Sequence, residues 1–308
     1  MTCMLLVHAV LAALCILFLP SIAHAWGPGM HVETALAAIA KVSLAAPFIR
    51  ELIRRFPDAF IYGATSPDIV VGKKYAGYLH HCHNWRIGWL ILHEAKSDCQ
   101  RAAAYGYLMH LAADVVGHNY YIPVKIVRSY TARLLSHTYW EMRFDLGVSD
   151  EAWRRIKKVR HENIEEFDSL LERVLSKTLF SFSTNKRIFN TILILQKMQG
   201  LRSSLKLYAS HSRFGIEDEN RRHYADLTME STMEFLAHPE SAACLHVDPT
   251  GVRRLAYAKD LRRNLRAMMG RGLLSEERAR VFVELVKEQL AVGLYRPEMK
   301  LPVVADVL

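Results

Sequence analysis

The segment Ala104–Asp145 carries the ionisable side chains that most constrain the fold of this chain. Within it, His110, Asp114 and His118 recur at every fourth position, which places all three on one stripe of an α-helix. The residues around this stripe are nearly all apolar, so we expect the helix to be buried on all sides. A buried carboxylate and buried imidazoles are costly unless they pair with each other or bind a metal ion.

A second stripe, His137 and Glu141, repeats the same spacing. One His-x-x-x-Asp pair alone would favour a hydrogen-bonded core pair, whereas two stripes favour a metal site. An α-helix rises by about 12 Å from His110 to His118, which is too far for one ion with ligand bonds of about 2 Å. We therefore expect His110 and Asp114 on one ion, and His118 with His137 and Glu141 on another. Imidazole and carboxylate without thiolate are typical of catalytic zinc.

Length and composition set the scale of the molecule. The chain has 308 residues, 51% of them hydrophobic, which is ample for a large core. The patterns predict an all-α fold: a multi-helix domain with a zinc cluster in a cleft between helices, followed by a helical C-terminal extension. We divide the chain into a signal peptide (1–25), a metal-site region (26–147) and a helical C-terminal region of unknown role (148–308).

The amino-terminal segment, residues 1–25, has the pattern of a secretory signal peptide. An apolar run over residues 4–19 precedes a proline and the small-x-small cleavage site Ala23-His24-Ala25. The alternative is an uncleaved membrane anchor, although the apolar run is short for a span. Cleavage would make Trp26 the new amino terminus, and it predicts an exported protein that is periplasmic or extracellular.

The predicted mature chain begins with Trp26-Gly27-Pro28-Gly29-Met30-His31. A free α-amino group has a pKa near 8, so it can be a neutral nitrogen ligand, and the carbonyl of the same residue completes a chelate. Gly27 and Gly29 would let the backbone fold back tightly over the ion. The alternative is that Trp26 and His31 only pack a loop.

These motifs together resemble a known family. WGPGMH at a cleavage site, GATSPD, a His-rich segment, His-x-x-x-Asp and His-x-x-x-Glu follow the order of the bacterial zinc-dependent phospholipases C. They also share the ligand pattern of the single-strand-specific zinc nucleases of fungi and plants. The resemblance implies that the amino group and carbonyl of Trp26, with His31, bind one of about three zinc ions, and that Asp114 bridges this ion to its neighbour. It also implies that Asp68 binds the first zinc and serves as the general base toward the attacking water.

The His-rich segment leaves its ligand open. The family contributes one histidine in a window after the loop aspartate that here includes His80, His81 and His83. We prefer His83 or His81. Cys82 would point away from the metal, although a thiolate ligand stays possible.

Two backbone features follow from the turn-forming residues. The run Phe60–Ile69, which contains GATSPD, is expected to be a loop. Residues 119–123 are expected to close the central helix, with the next helix starting near Val124. His118 lies four residues after Asp114, where the best-known family members have a spacing of six. The shorter spacing predicts either a rebuilt second zinc site or a subfamily with a continuous helix.

The function implied by the resemblance is hydrolysis of a phospholipid on its glycerol side, giving diacylglycerol and a phosphorylated headgroup. A phospholipid or a membrane surface would then be the partner, and the net charge of +9 favours anionic partners. One basic run predicts a solvated helix face or an attraction to anionic lipid headgroups: Arg253, Arg254, Lys259, Arg262, Arg263, Arg266 and Arg271.

Two other functions stay open. One is a single-strand nuclease, in which an aromatic residue would stack on a base; Tyr120, Tyr121, Tyr139 or Trp140 could supply that surface. The other is a non-catalytic helical protein of the envelope or membrane surface, whose histidines and aspartates bind metal structurally or not at all.

Overall fold

The architecture is a multi-helix assembly around one long central helix. The computed structural model describes residues 26–70, 81–132, 135, 137–161, 165–175, 180–197, 202–203, 206–207, 216 and 218–307. These residues contain helices and turns but no strand, so the predicted all-α fold is confirmed. The signal-peptide prediction (1–25) and His80 lie outside them. Within that part of the chain, no helix has the length and apolarity needed to span a bilayer.

The amino-terminal helices form the walls around the central helix α5. They are α1 (Pro28–Ala40), α2 (Pro47–Arg55), α3 (Pro57–Thr65), α4 (Trp85–Glu94), α5 (Asp98–Val116), α6 (Ile122–Arg128) and α7 (His137–Asp145). The first three each begin with a proline, which fits the first turn because no N–H is needed there. Helix α5 begins with a capping box formed by Ser97 and Gln100.

The C-terminal helices are α8 (Asp150–His161), α9 (Glu165–Val174), α10 (Phe182–Lys197), α11 (Asp218–Ala237), α12 (Val252–Gly270) and α13 (Glu276–Val292). Helix α11 packs against α5, and α12 packs against α6. The C-terminal region therefore contacts the region that carries the predicted metal ligands.

Helix α5 is buried, as its sequence predicts. Its residues from Ala102 to Val116 have almost no exposed surface, including His110 and Asp114 at 0%. Helices α3, α4 and α11 cover it. The fold therefore places two ionisable side chains inside an apolar core, where each needs a compensating partner.

The prediction of a loop over Phe60–Ile69 is wrong. Helix α3 runs to Thr65, and a short 3-10 turn follows (Ser66–Ile69). Gly63 belongs to a helix crossing, because a Cβ there would lie 1.8 Å from the Ala103 carbonyl oxygen of α5. Gly106 of α5 has the same role at this crossing, because a Cβ there would lie 2.0 Å from the Phe60 carbonyl oxygen of α3. The glycines allow close packing of two helices instead of marking a turn.

The prediction that residues 119–123 close the central helix is also wrong. The chain passes from α5 into a π-helical turn (Gly117–Tyr121) and directly on into α6. Pro123 stands in the first turn of α6, where a proline is tolerated. π-Helical turns are rare and frequently occur at functional sites, and this one contains His118.

The basic run on α12 is only partly a solvated face. Arg254 is buried and donates hydrogen bonds to the carbonyls of Gly293 and Arg296, each at 3.1 Å. Arg262 and Arg266 are half-buried and bind backbone carbonyls between α6 and α7. The expectation of a solvated face is therefore wrong for these three arginines, because their guanidinium groups donate hydrogen bonds to backbone carbonyls.

Candidate metal centre

Four elements bring imidazoles and carboxylates together around Asp114 of α5. The Nε2 atom of His31, on α1, lies 3.4 Å from Asp114 Oδ1. The Nε2 atoms of His83, before α4, and His110, on α5, each lie 3.3 Å from Asp114 Oδ2. Asp68, in the 3-10 turn, lies with Oδ1 3.2 Å from His83 Nε2 and 3.8 Å from His110 Nε2. We call these five residues the first ligand group.

Several polar atoms of the first ligand group face one another without a hydrogen bond. Both carboxylate oxygens of Asp114 and both ring nitrogens of His31 are buried and make no hydrogen bond. The Nε2 atoms of His83 and His110 face each other at 3.1 Å. Buried polar groups are normally hydrogen-bonded, so this arrangement fits side chains that share a cation. Imidazole nitrogens and carboxylate oxygens are ligands that zinc accepts.

The hydrogen bond of His110 defines which ring nitrogen can bind a metal. Its Nδ1 lies 2.8 Å from the Ala64 carbonyl oxygen, which can only accept, so Nδ1 carries the proton. In the neutral ring, the lone pair is then on Nε2, which faces Asp114. A backbone carbonyl commonly fixes a metal-binding histidine in this way.

Burial and neighbouring charges set the protonation of this group. Burial lowers the pKa of His31, and the nearby His110 lowers it further. Burial opposes ionisation of Asp114, but the facing His110 and His31 hold the pKa of its carboxyl well below the usual range. Burial also opposes protonation of His110, yet the carboxylates of Asp114 and Asp68 raise its pKa. A neutral His31 and an anionic Asp114 are the forms that bind metal.

Trp26 is anchored beside the first ligand group. Its indole is fully buried, and Nε1 donates a hydrogen bond of 2.9 Å to the carbonyl of Ala113, the residue before Asp114. The indole stacks on Tyr121 at 4.8 Å and contacts Phe144 at 4.6 Å. The binding of zinc by the amino group and carbonyl of Trp26 stays a prediction.

Asp145, which the sequence argument did not single out, holds the start of α1. Its carboxylate accepts hydrogen bonds from the N–H groups of Gly29 (2.9 Å) and Met30 (3.0 Å). A Cβ at Gly27 would lie 2.2 Å from Asp145 Oδ2, so this position requires glycine. Burial raises the pKa of Asp145 to about 7, although the two N–H donors lower it. The sequence pattern could have indicated Asp145, because it lies four residues after Glu141 on the same helical stripe.

The second ligand group consists of His118, His137 and Glu141. The His137 Nε2 atom lies 3.1 Å from Glu141 Oε1, and the rings of His118 and His137 lie 5.2 Å apart between centroids. His118 Nδ1 lies 3.9 Å from Asp114 Oδ2, which places this group next to the first. The structure thus brings together the residues that the two stripes name. Their binding of a common zinc ion stays a prediction.

The His-rich segment contributes differently at each position. His83 belongs to the first ligand group, whereas His81 Nδ1 accepts a hydrogen bond of 3.2 Å from the His83 backbone N–H. The Cys82 sulfur lies 3.3 Å from His83 Nδ1, on the side of the ring opposite to Nε2. Among the described residues, Cys82, Cys99 and Cys244 form no disulfide bond.

The four aromatic residues considered for base stacking belong to the core. Tyr120, Tyr121, Tyr139 and Trp140 are at most 3% exposed. Tyr121 also stacks on Trp26, and its hydroxyl donates to the Trp140 carbonyl at 2.8 Å. These rings therefore pack in the core and do not form an exposed surface for stacking on a base.

A buried cluster of imidazoles and carboxylates in an all-α domain defines the molecule as a candidate zinc protein. Residues 30–182 match the model of the family described as zinc dependent phospholipase C, and over this segment the chain belongs to that family. Comparisons with curated proteins and with solved structures gave no match. The family segment includes every predicted ligand except Trp26, and it extends beyond the boundary at residue 147.

Proposed function

We propose that this chain is an exported zinc-dependent phosphodiesterase of the phospholipase C type, which hydrolyses a phospholipid to diacylglycerol and a phosphorylated headgroup. The observation that carries the proposal is the environment of Asp114. Three imidazole Nε2 atoms lie within 3.4 Å of its buried carboxylate without hydrogen-bonding it, inside a segment that belongs to a zinc-dependent family.

The donor set divides into groups that would hold about three ions. Trp26, through its amino group and carbonyl, would share one ion with His31 and Asp114. Asp68, His83 and His110 would hold a neighbouring ion, which Asp114 would bridge to the first. The remaining ion would belong to His118, His137 and Glu141. Of the histidines in the His-rich segment we choose His83, because its Nε2 faces both carboxylates.

Zinc at such a site neutralises phosphate oxygens and acidifies water, so that a nucleophile is available near neutral pH. Asp68 would orient the attacking water and accept its proton as general base. Its Oδ1 lies 3.2 Å from His83 Nε2, so the carboxylate lies beside the proposed ligands of the same ion. As water oxygen bonds to phosphorus, the bond from phosphorus to the glycerol oxygen breaks, and diacylglycerol leaves with a proton.

Two further features of the chain support export and a membrane substrate. Residues 1–25 support export, because they have the pattern of a cleaved signal peptide. The net charge of +9 supports attraction to a membrane surface that contains anionic lipids. On α12, Arg253 (82% exposed side chain) and Lys259 are available to such a surface.

The test is a comparison of two substrates with the processed, zinc-loaded protein. We expect release of phosphocholine from phosphatidylcholine vesicles, and we expect Asp68→Asn to lower its rate by about 100-fold or more. Release of nucleotides from single-stranded DNA in preference to phosphocholine would support the nuclease alternative and overturn the phospholipase proposal. The buried state of the four candidate stacking rings argues against the nuclease.

The non-catalytic alternative requires a different measurement. An Asp114→Asn variant should keep its helical content but lose zinc and hydrolysis together. If this variant retains the full cellular function of the native protein, the chain acts as a helical envelope or membrane-surface protein rather than as an enzyme.

A further inference from the structure

We propose that the part of the C-terminal region beyond the family segment, residues 247–266, completes the second ligand group by fixing the positions of His118 and His137. This inference rests on the proposed function in one respect, which is that the second ligand group binds zinc. It concerns positioning residues, because none of them belongs to either ligand group.

Three consecutive carbonyls between α11 and α12 accept hydrogen bonds from the metal-site region. The Val247 carbonyl accepts from Trp85 Nε1 at 2.9 Å, and the Asp248 carbonyl accepts from Asn119 Nδ2 at 2.9 Å. The Pro249 carbonyl lies 2.6 Å from His118 Nδ1. We call residues 247–251 the carbonyl turn. It lies more than 60 residues beyond the end of the family segment, at residue 182.

The contact with Pro249 determines how His118 can bind a metal. A carbonyl only accepts hydrogen bonds, so Nδ1 of His118 must carry the proton. The lone pair of the neutral ring is then on Nε2. This is the same arrangement as that of His110 with the Ala64 carbonyl, except that the carbonyl comes from the C-terminal region.

Gly251 brings the carbonyl turn into direct contact with the backbone of His118. Its φ is +59°, in the left-handed region that favours glycine. A Cβ here would lie 2.5 Å from both the Cβ and the carbonyl oxygen of His118. Any side chain at this position would therefore displace His118 or the turn.

Arginines of α12 hold the segment that leads into α7. Arg262 donates to the Leu135 carbonyl at 3.0 Å, and Arg266 donates to the Tyr130 carbonyl at 3.0 Å. Both guanidinium groups also donate to the Ala132 carbonyl. Helix α7 begins two residues after Leu135, with His137 itself. The two arginines therefore fix the segment that precedes α7, and so they fix the position of His137 and Glu141 in the second ligand group.

The first experiment compares two glycine substitutions that share the same backbone strain. Gly251→Ala adds a methyl group against His118, whereas Gly272→Ala, at φ +70°, adds one in open space. We expect Gly251→Ala to weaken the binding of one zinc ion by roughly 10- to 100-fold, the effect typical of altered metal surroundings. Gly272→Ala should bind zinc as the native protein does.

The measurements are zinc per chain at increasing chelator concentration and the visible absorption spectrum of the cobalt-substituted protein. A change of the cobalt spectrum in Gly251→Ala alone reports altered ligand geometry, which a general loss of stability would not produce. Equal zinc affinity and identical spectra in both variants would overturn the inference. Failure of this inference is distinct from failure of the proposed function, because the proposed function fails if the native protein itself binds no zinc.

A second pair of variants keeps the inference testable if Gly251→Ala does not fold. Arg266→Ala removes donors to Tyr130 and Ala132 while Arg262 remains, so we expect a folded protein with weakened zinc binding at one site. Arg263→Ala is the control, because Arg263 is 77% exposed and pairs with Asp260 in solvent. Equal zinc affinity in these two variants would overturn the role of α12.

Discussion

The two ligand groups are neighbours with different supports. Both groups lie within the family segment, and the members of the first group, from His31 to Asp114, are at most 3% exposed. The second group includes His137, whose side chain is 11% exposed, and His118, whose ring is held by the C-terminal carbonyl turn. The comparison shows that one half of the centre is built by local helix packing and the other half depends on chain far away in sequence.

The difference has a physical origin. Helices α3 and α5 approach closely through Gly63 and Gly106, so Asp68 and His110 are placed by rigid packing. The second group is placed by hydrogen bonds that span more than 120 residues, such as those of Arg262 and Arg266. We therefore expect the first group to tolerate Gly251→Ala and Arg266→Ala, and the second group to respond to them.

The largest predicted effect is the loss of the shared carboxylate. Asp114→Asn should lower phospholipid hydrolysis by about 1,000-fold, because it removes the anion that faces three imidazoles and would bridge two ions. Glu141→Gln should cost less, about 10- to 100-fold, because the second group contributes fewer buried donors. Steady-state rates and zinc content of both variants measure this. Equal losses would contradict the unequal roles of the two groups.

The next effect concerns the amino terminus. A mature protein with one alanine added before Trp26 should lose about one zinc ion and about 100-fold in rate, because the amino group of Trp26 becomes an amide. A matched control adds one alanine at the carboxyl terminus of the protein instead. Full zinc content in the extended protein would show that Trp26 only packs against Tyr121 and Phe144.

A smaller effect is expected from Asp145→Asn, which removes an acceptor for the start of α1. Near pH 4 the variant should be destabilised by about 1–2 kcal/mol, and it should lose affinity at the first group rather than the second. The pKa of Asp145 is raised by burial to about 7, above its unfolded value of 3.8, so the folded state binds the proton more tightly. The contribution of Asp145 is therefore fully present below the unfolded value and is lost as pH rises toward 7.

Chemical denaturation of both proteins without zinc, across pH 4 to 8, measures this contribution. The advantage of the native protein over Asp145→Asn should shrink as pH rises. An advantage that grows with pH would show that the ionised carboxylate is the favoured form in the folded protein.

The smallest effect separates two adjacent histidines. His83→Ala should remove zinc from the first group, whereas His81→Ala should change hydrolysis by less than about tenfold, because His81 contacts the His83 backbone. Zinc analysis and rates of the two variants provide the measurement. A larger loss in His81→Ala would move the ligand from residue 83 to residue 81.

The stripes of α5 and α7 allowed much of the centre to be predicted. Four-residue spacing fixes a helical face, so His110 could be paired with Asp114, and His137 with Glu141, from the sequence. GATSPD was misread as a loop because Gly63 serves helix packing, and packing partners far away in sequence carry no local signal. The role of Pro249 could not be predicted for the same reason, since any residue supplies a carbonyl and only the fold decides which one faces His118.

The measurement that tests the zinc centre most directly is zinc per mature chain, determined by elemental analysis of protein that has been exported and processed. The account predicts about three ions per chain, with both ligand groups filled. One ion or none on folded, correctly processed protein would contradict the zinc cluster and the hydrolytic mechanism built on it.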